Sequence, residues 1–167
     1  MVQLLKKPVL DIINRSIAIE YQAYFVYRQA AHWFDSKNLP GTSSFCIRQA
    51  EDEHIHAKRL EEYVMKRGNL ITLETPEINQ KLVTETWNTN LEVFTYLHQK
   101  EIENYLLYES NAQVAKAEND DVSYKLFVEF MESQIQELSE FDVLMSKVKA
   151  YSAIPGLFYH LDHELRK

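Results

Sequence analysis

The sequence predicts an all-α protein. Three observations carry that expectation. The 167 residues include only 3 glycines and 4 prolines, too few for a turn-rich β fold. Apolar side chains recur at three- and four-residue spacing through four long stretches. The breakers gather between those stretches and leave their interiors alone. The length suits one domain with a sizeable core, so residues 1–167 are read as a single unit.

Helix A is expected over about residues 7–34, where Val9, Ile13, Ile17, Tyr24, Tyr27 and Ala31 fall on one side. Asn38, Pro40, Gly41 and Thr42 then stop one helix and begin the next, and so short a link makes helices A and B antiparallel neighbours. Helix B is expected over about 42–67, with Phe45, Gln49, Glu53, His56, Leu60 and Val64 along one face and Gly68 as its stop. The stretch of about 69–84 holds Thr72, Thr75, Pro76 and Thr84 without helical periodicity and reads as a crossover. A connection of that length can traverse the bundle and return helix C parallel to helix B.

Helix C is expected over about 85–118, presenting Trp87, Leu91, Phe94, His98, Glu101, Tyr105 and Tyr108. Asn119, Asp120 and Asp121 break it and cap helix D, which runs over about 120–150 with Phe127, Phe130, Gln134, Glu137, Phe141, Leu144 and Val148 inward. Pro155 and Gly156 set off a short amphipathic tail helix over about 157–165.

A formal charge of −7 disfavours nucleic acid and anionic membrane surfaces as partners and favours cations. Cys46 is the only cysteine, which excludes an internal disulfide and any cysteine-held cluster within the chain, so a metal would be held by oxygen and imidazole. The amino terminus lacks the apolar run of a signal peptide, and no apolar stretch is long enough to span a bilayer. A soluble, cytoplasmic location is the expectation.

Against this background one pattern is out of place. Glu20, Glu53, Glu101 and Glu137 each sit near the middle of a different helix, on the stripe that should be apolar, and His56 follows Glu53 by three residues. A buried carboxylate is costly without a partner, and one such intrusion is commonplace. Four central intrusions in four helices, with an imidazole beside one of them, make sense around multivalent cations. On helix D the turn before Glu137 carries Gln134, a neutral amide where a second imidazole would make the site tighter. Tyr27 lies two turns past Glu20, placed either to hydrogen-bond a ligand or to fill the core. His98, one turn before Glu101, reads as an extra ligand or, better, as a supporting histidine. His54 is expected to face solvent, as are His32, His160 and His163.

One carboxylate from each of two helices and a paired motif from each of the other two is the arrangement of ferritin-like di-metal bundles. The stretches Ile19-Glu20-Tyr21 through Tyr27, Ala50 to Leu60 around Glu53-His54-Ile55-His56, Glu101, Glu132 to Glu137, and the tail Gly156 to Leu165 resemble a ferritin, particularly the non-haem bacterial type. The resemblance covers nearly the whole chain. It implies a four-helix bundle with a long crossover between helices B and C and a short fifth helix at the C-terminus.

Carried over residue by residue, the resemblance makes Glu20, Glu53 and His56 a first iron site. Glu53 bridges, and Glu101 and Glu137 complete the second. Gln134 would meet dioxygen or bound water beside the pair, and Tyr27 matches a tyrosine kept near such centres. The acids that hold a third iron in many bacterial ferritins correspond to Asp52, Ser133 and Gln136 here, so that site is expected to be altered. Haem is not expected, because Gln134 and Glu137 replace the second Glu-x-x-His of bacterioferritins and His54 replaces their haem-binding methionine.

The resemblance further implies a ferroxidase that takes Fe(II) and dioxygen as substrates and stores ferric mineral in a cage of twenty-four subunits. Two other functions fit the same sequence less well: a diiron oxidase or peroxidase of the rubrerythrin kind, which usually brings several cysteines, and a helical bundle that only binds or supports.

Overall fold

The computed structural model describes residues 4–76 and 80–167, with side chains from 80–82 excepted. Six helices follow in order: α1 (Lys7–Ser36), α2 (Pro40–Lys66), α3 (Gln80–Glu85), α4 (Asn90–Ala117), α5 (Asp121–Ser152) and α6 (Phe158–Glu164). No strand occurs among the described residues. Four long helices form the bundle, α3 lies in the crossover, and α6 packs on α2 and α5.

The short links behave as their residues dictate. Asn38 and Asn119 take positive φ (59° and 58°), the left-handed turn that asparagine tolerates, so the chain reverses at once. Gly68 ends α2 with φ of 78°. Asp120 caps α5 by accepting a hydrogen bond from the Ser123 amide. Two antiparallel pairs result, α1 with α2 and α4 with α5, each closely packed along its length.

These pairs meet along two wider seams, α1 against α4, and α2 against α5, the latter bridged by side chains such as Arg59 with Glu129 and His56 with Phe130. In the first seam Asn111 Nδ2 donates to Ser16 Oγ at 2.8 Å and the Tyr27 hydroxyl donates to Glu101, so position rises along α1 as it falls along α4. The two helices are antiparallel. Because α2 also opposes α1, α4 runs parallel to α2, as the long crossover requires.

The crossover departs from the expectation in two ways. It contains helix α3, six residues long, where no periodicity was legible. Helix C also begins at Asn90, later than the expected start near residue 85. The reason is a capping box: Thr89 accepts from the Glu92 amide while the Glu92 side chain accepts from the Thr89 amide. Trp87 therefore lies before the helix, 5% exposed and edge-on to Trp33. Residues 1–3 and 77–79, which belong to the expected amino-terminal approach and the crossover, fall outside the described residues.

Two polar anchors hold the ends of the α2–α5 seam. At one end Arg67 makes a paired contact with Asp120, at 3.0 and 3.1 Å, and both side chains are nearly buried. At the other, Asp162 of α6 accepts from the Thr42 amide and hydroxyl at 2.7 and 2.8 Å, satisfying an open donor in the first turn of α2. Gly41 permits that approach, since a Cβ there would lie 1.8 Å from the Asp162 backbone oxygen. The apolar core divides into two clusters. One is built around Tyr27, Phe34, Phe94 and Phe141, the other around Ile13, Ile17, Tyr108 and Phe127.

Candidate metal centre

Between those two clusters the helices bring their acids together. Glu20 on α1 is 1% exposed, and neither of its carboxylate oxygens has a hydrogen-bond partner. On α2 the three-residue spacing puts Glu53 and His56 on one face, with His56 Nδ1 3.3 Å from Glu53 Oε2 and 3.6 Å from Glu20 Oε2. His56 Nε2 turns the other way and lies 3.6 Å from Glu137 Oε1 on α5. The donor atoms form two groups, Glu20–Glu53–His56 and Glu53–Glu101–Glu137, each with all its atoms within 4.8 Å of one another. Glu53 is common to both.

Glu101 is the most firmly held of these residues. The Tyr27 hydroxyl donates to its Oε1, and the Gln134 amide donates to its Oε2 at 2.5 Å and to its backbone oxygen at 3.1 Å. Each carboxylate oxygen keeps a free lone pair after accepting one such bond, so these contacts orient Glu101 without closing it to a cation. Gln134 lies beside the central acids, as the resemblance implied, and its amide nitrogen is taken up by Glu101. Tyr27 lies in the core and also makes the hydrogen bond.

Gathered this closely, three of the acids and the imidazole all hold protons more tightly than they would in water. Burial, then repulsion from Glu20, pushes the Glu53 carboxyl up to about 8. Burial and Glu53 do the same to Glu101, also to about 8, although the bonds from Tyr27 and Gln134 pull the other way. Burial brings Glu137 to about 7 with His56 opposing it. For His56 burial disfavours the cation, but Glu20 and Glu53 together outweigh it and raise the imidazole to about 11.

A cavity of about 510 Å³ opens in the α2–α5 seam beneath α6. Glu101 and Glu137 stand in its wall, with Gln49, Asp52 and Glu140 further out. Only Glu137 among the four central glutamates is partly exposed, its side chain at 32%, and it sits where this cavity meets the centre.

All seven residues singled out from the sequence meet in one place: Glu20, Glu53, His56, Glu101 and Glu137 as potential donors, Tyr27 and Gln134 as their supports. His98 is not among them. It pairs with Asp142 at 2.8 Å and stacks on Phe141, which lines the cavity. His54 is half-buried against the rings of Tyr21 and Tyr24, not turned out to solvent, because both tyrosines lie on the adjacent face of α1. His32, His160 and His163 are exposed. The sequence reading passed over Asn104 and Glu140. Each follows a central glutamate by three residues, which was the available signal.

A family model described as a ferritin-like domain matches residues 10–150, most of the chain. The chain belongs to the ferritin-like family. Within that family it is 30% identical over 148 residues to the soma ferritin of Lymnaea stagnalis, covering 87% of this chain and 82% of that one. It is 23% identical over 162 residues to a bacterial non-heme ferritin of Bacteroides fragilis, covering 97% and 98% respectively. Its fold matches the open pore ferritin of the archaeon Archaeoglobus fulgidus with a TM-score of 0.90 at 22% identity, covering 97% of this chain and 96% of the other. The four-helix ferritin bundle with a short C-terminal helix is thus the fold of this chain.

Proposed function

We propose that this chain is an iron-storing ferritin that oxidises Fe(II) at the centre just described. One ion would be held by Glu20, Glu53 and His56, and the second by Glu53, Glu101 and Glu137, with Glu53 bridging. The observation that carries this reading is the Glu20 carboxylate, buried and without a hydrogen-bond partner on either oxygen, beside a second buried acid and an imidazole. Such a group is stable in a bundle core only when it is neutralised, and a divalent cation does so for several acids at once.

Hard carboxylate oxygens stabilise ferric iron relative to ferrous, so the same donors that bind the substrate favour its oxidation. Two Fe(II) ions give one electron each to one dioxygen, which takes up two protons and leaves as hydrogen peroxide. The acid-lined cavity at Asp52 and Glu140 offers cations an approach to Glu137 and Glu101. Storage requires an enclosed volume that one chain does not supply, so the reading includes self-association into a cage of twenty-four copies in the cytoplasm.

Titration of the purified protein with Fe(II) in air tests the reading. Fast oxidation saturating near two irons per chain, followed by loading to a soluble ferric mineral in a particle of cage size by light scattering, is the expected result. Fast oxidation without further loading would leave a diiron oxidase, and no oxidation would leave a structural bundle. Glu53→Ala should remove the fast phase with helicity intact. An unchanged fast phase in that variant overturns the assignment.

A further inference from the structure

The other seam of the bundle holds an opening of a different character. Between α1 and α4 lies a groove of about 200 Å³, on the opposite side of the bundle from the acidic cavity. Its apolar lining comes from Ile19, Ala23, Val26 and Leu107, and Val26 at its floor is 3% exposed. Its rim is occupied by Lys100 and Glu103, paired at 2.9 Å and both partly exposed. Asn104, 8% exposed, lines it as well.

The groove stands level with the metal centre. The contacts of Ser16 with Asn111 and of Tyr27 with Glu101 fix the register of the two helices. In that register Ala23, three residues after Glu20 and four before Tyr27, faces the turn of Asn104, three residues after Glu101. Ala23 carries the smallest side chain with a Cβ, at a point where the stripe on either side bears a glutamate and a tyrosine. Ala23 is therefore the least bulky side chain between the groove and the level of the donors.

A ferrous ion gains nothing from this opening. The lysine ammonium at its rim repels it, the nearest acid is already paired, and the remaining polar lining consists of the neutral amides of Gln22 and Asn104, which cannot offset its charge. A small neutral molecule meets no such penalty. Apolar cavities of about 150 Å³ stay dry and take up apolar guests such as xenon. We propose that the α1–α4 groove is the path by which dioxygen reaches the metal centre, apart from the acidic cavity that admits the cation. This inference rests on the oxidase reading above. It adds that the two substrates enter through separate seams, so neither has to wait for the other to clear a shared entrance.

Crystals of the whole protein pressurised with xenon should show the gas between Ala23 and Leu107. This readout needs no activity. Ala23→Leu, which fills the groove at a half-buried position, should raise the KM for dioxygen at least fivefold while anaerobic Co(II) binding stays near two per chain. Ala23→Gly should lower the KM or leave it unchanged. If wild-type protein oxidises Fe(II) but xenon is absent from the groove and Ala23→Leu keeps the wild-type KM for dioxygen, the path is wrong and the oxidase reading stands. Absence of any Fe(II) oxidation by the wild type, even with xenon in place, instead removes the reading on which the path depends. If Ala23→Leu fails to fold, Ala23→Val is read by the same two measurements, with a smaller rise expected.

Discussion

The Tyr27 hydroxyl of α1 donates a hydrogen bond to Glu101 of α4, across a seam in which the two helices otherwise touch sparingly. The bond sets the position of a carboxylate on one helix by a side chain from another, so the geometry of the second donor group depends on the separation of α1 and α4. Tyr27→Phe keeps the ring and removes the donor. Loss of such a bond is expected to cost about 1 kcal/mol of stability. Because the bond favours the charged carboxylate, its loss should also raise the Glu101 carboxyl further, and Co(II) binding to the second group should require higher pH. Calorimetric Co(II) titration of both proteins at two pH values checks this, and identical pH dependence would refute it.

Metal binding by the wild type should itself depend on pH. Glu53 and Glu101, raised to about 8, and Glu137, raised to about 7, hold protons in the empty protein near neutrality, so a cation has to displace them. Affinity should rise from pH 6 to pH 8, with protons released on binding. Titrations in buffers of differing ionisation enthalpy count those protons directly. A flat affinity with no release would show that the acids are already ionised.

Stability of the metal-free protein should move the opposite way. A carboxyl whose folded pKa lies above its unfolded value near 4.5 binds more protons in the native state across the interval between them, so native stability falls as pH rises towards 8. His56, raised to about 11, acts in the same direction: its contribution is complete below the unfolded value of 6.5 and is lost as pH climbs towards 11. The melting temperature without metal should therefore drop between pH 6.5 and 9, and added Co(II) should reverse the trend. A melting temperature that rises over that range without metal would contradict the electrostatic picture.

Glu20→Gln separates folding from binding. The neutral amide is nearly isosteric and removes both the repulsion of Glu53 and the attraction of His56 at 3.6 Å, opposing effects that should leave metal-free stability little changed. Affinity for the first ion should fall by at least ~10-fold, on the scale at which even supporting residues of metal sites act. Thermal melts and Co(II) titration of the same sample read both effects. A variant that melts lower and binds normally would assign Glu20 to structure alone.

Asp162 provides a test away from the centre. Asp162→Ala removes the acceptor for the Thr42 amide and hydroxyl, which should cost about 1–2 kcal/mol, as the loss of a helix cap does. Amide exchange should accelerate through Phe158–Glu164, because α6 is seated by that side chain. Unaltered exchange there would mean that apolar packing of Phe158 and Leu161 alone secures the tail.

The bundle and the convergence of its acids were legible because both follow from the helical repeat. When Glu20, Glu53, Glu101 and Glu137 interrupt apolar stripes, the packing that buries the stripes must also gather the carboxylates. What escaped was either too short to show a period, fixed by a local cap, or set by neighbours distant in sequence. Helix α3 is too short to display a period. Trp87 sits at helical spacing from Leu91 yet lies before the Thr89 cap, and the Thr89-x-x-Glu92 signature that decides the matter was present to be read. His54 looked external on its own helix because Tyr21 and Tyr24, which cover it, belong to another. Nor does spacing reveal that Gln134 turns to Glu101, since that choice depends on where α4 stands against α5.

The Arg67–Asp120 and Asp162–Thr42 contacts tie down both extremities of α2, and Glu53 and His56 lie between them. Sliding of α2 along α5 would have to break a nearly buried ionic grip at one limit and lift α6 at the other. Any adjustment of Glu53 and His56 is thereby confined to small bows at midspan, away from both grips. A rod pinned at its tips can flex its waist without losing alignment, so a small displacement of one donor would not shift α2 bodily against its neighbours.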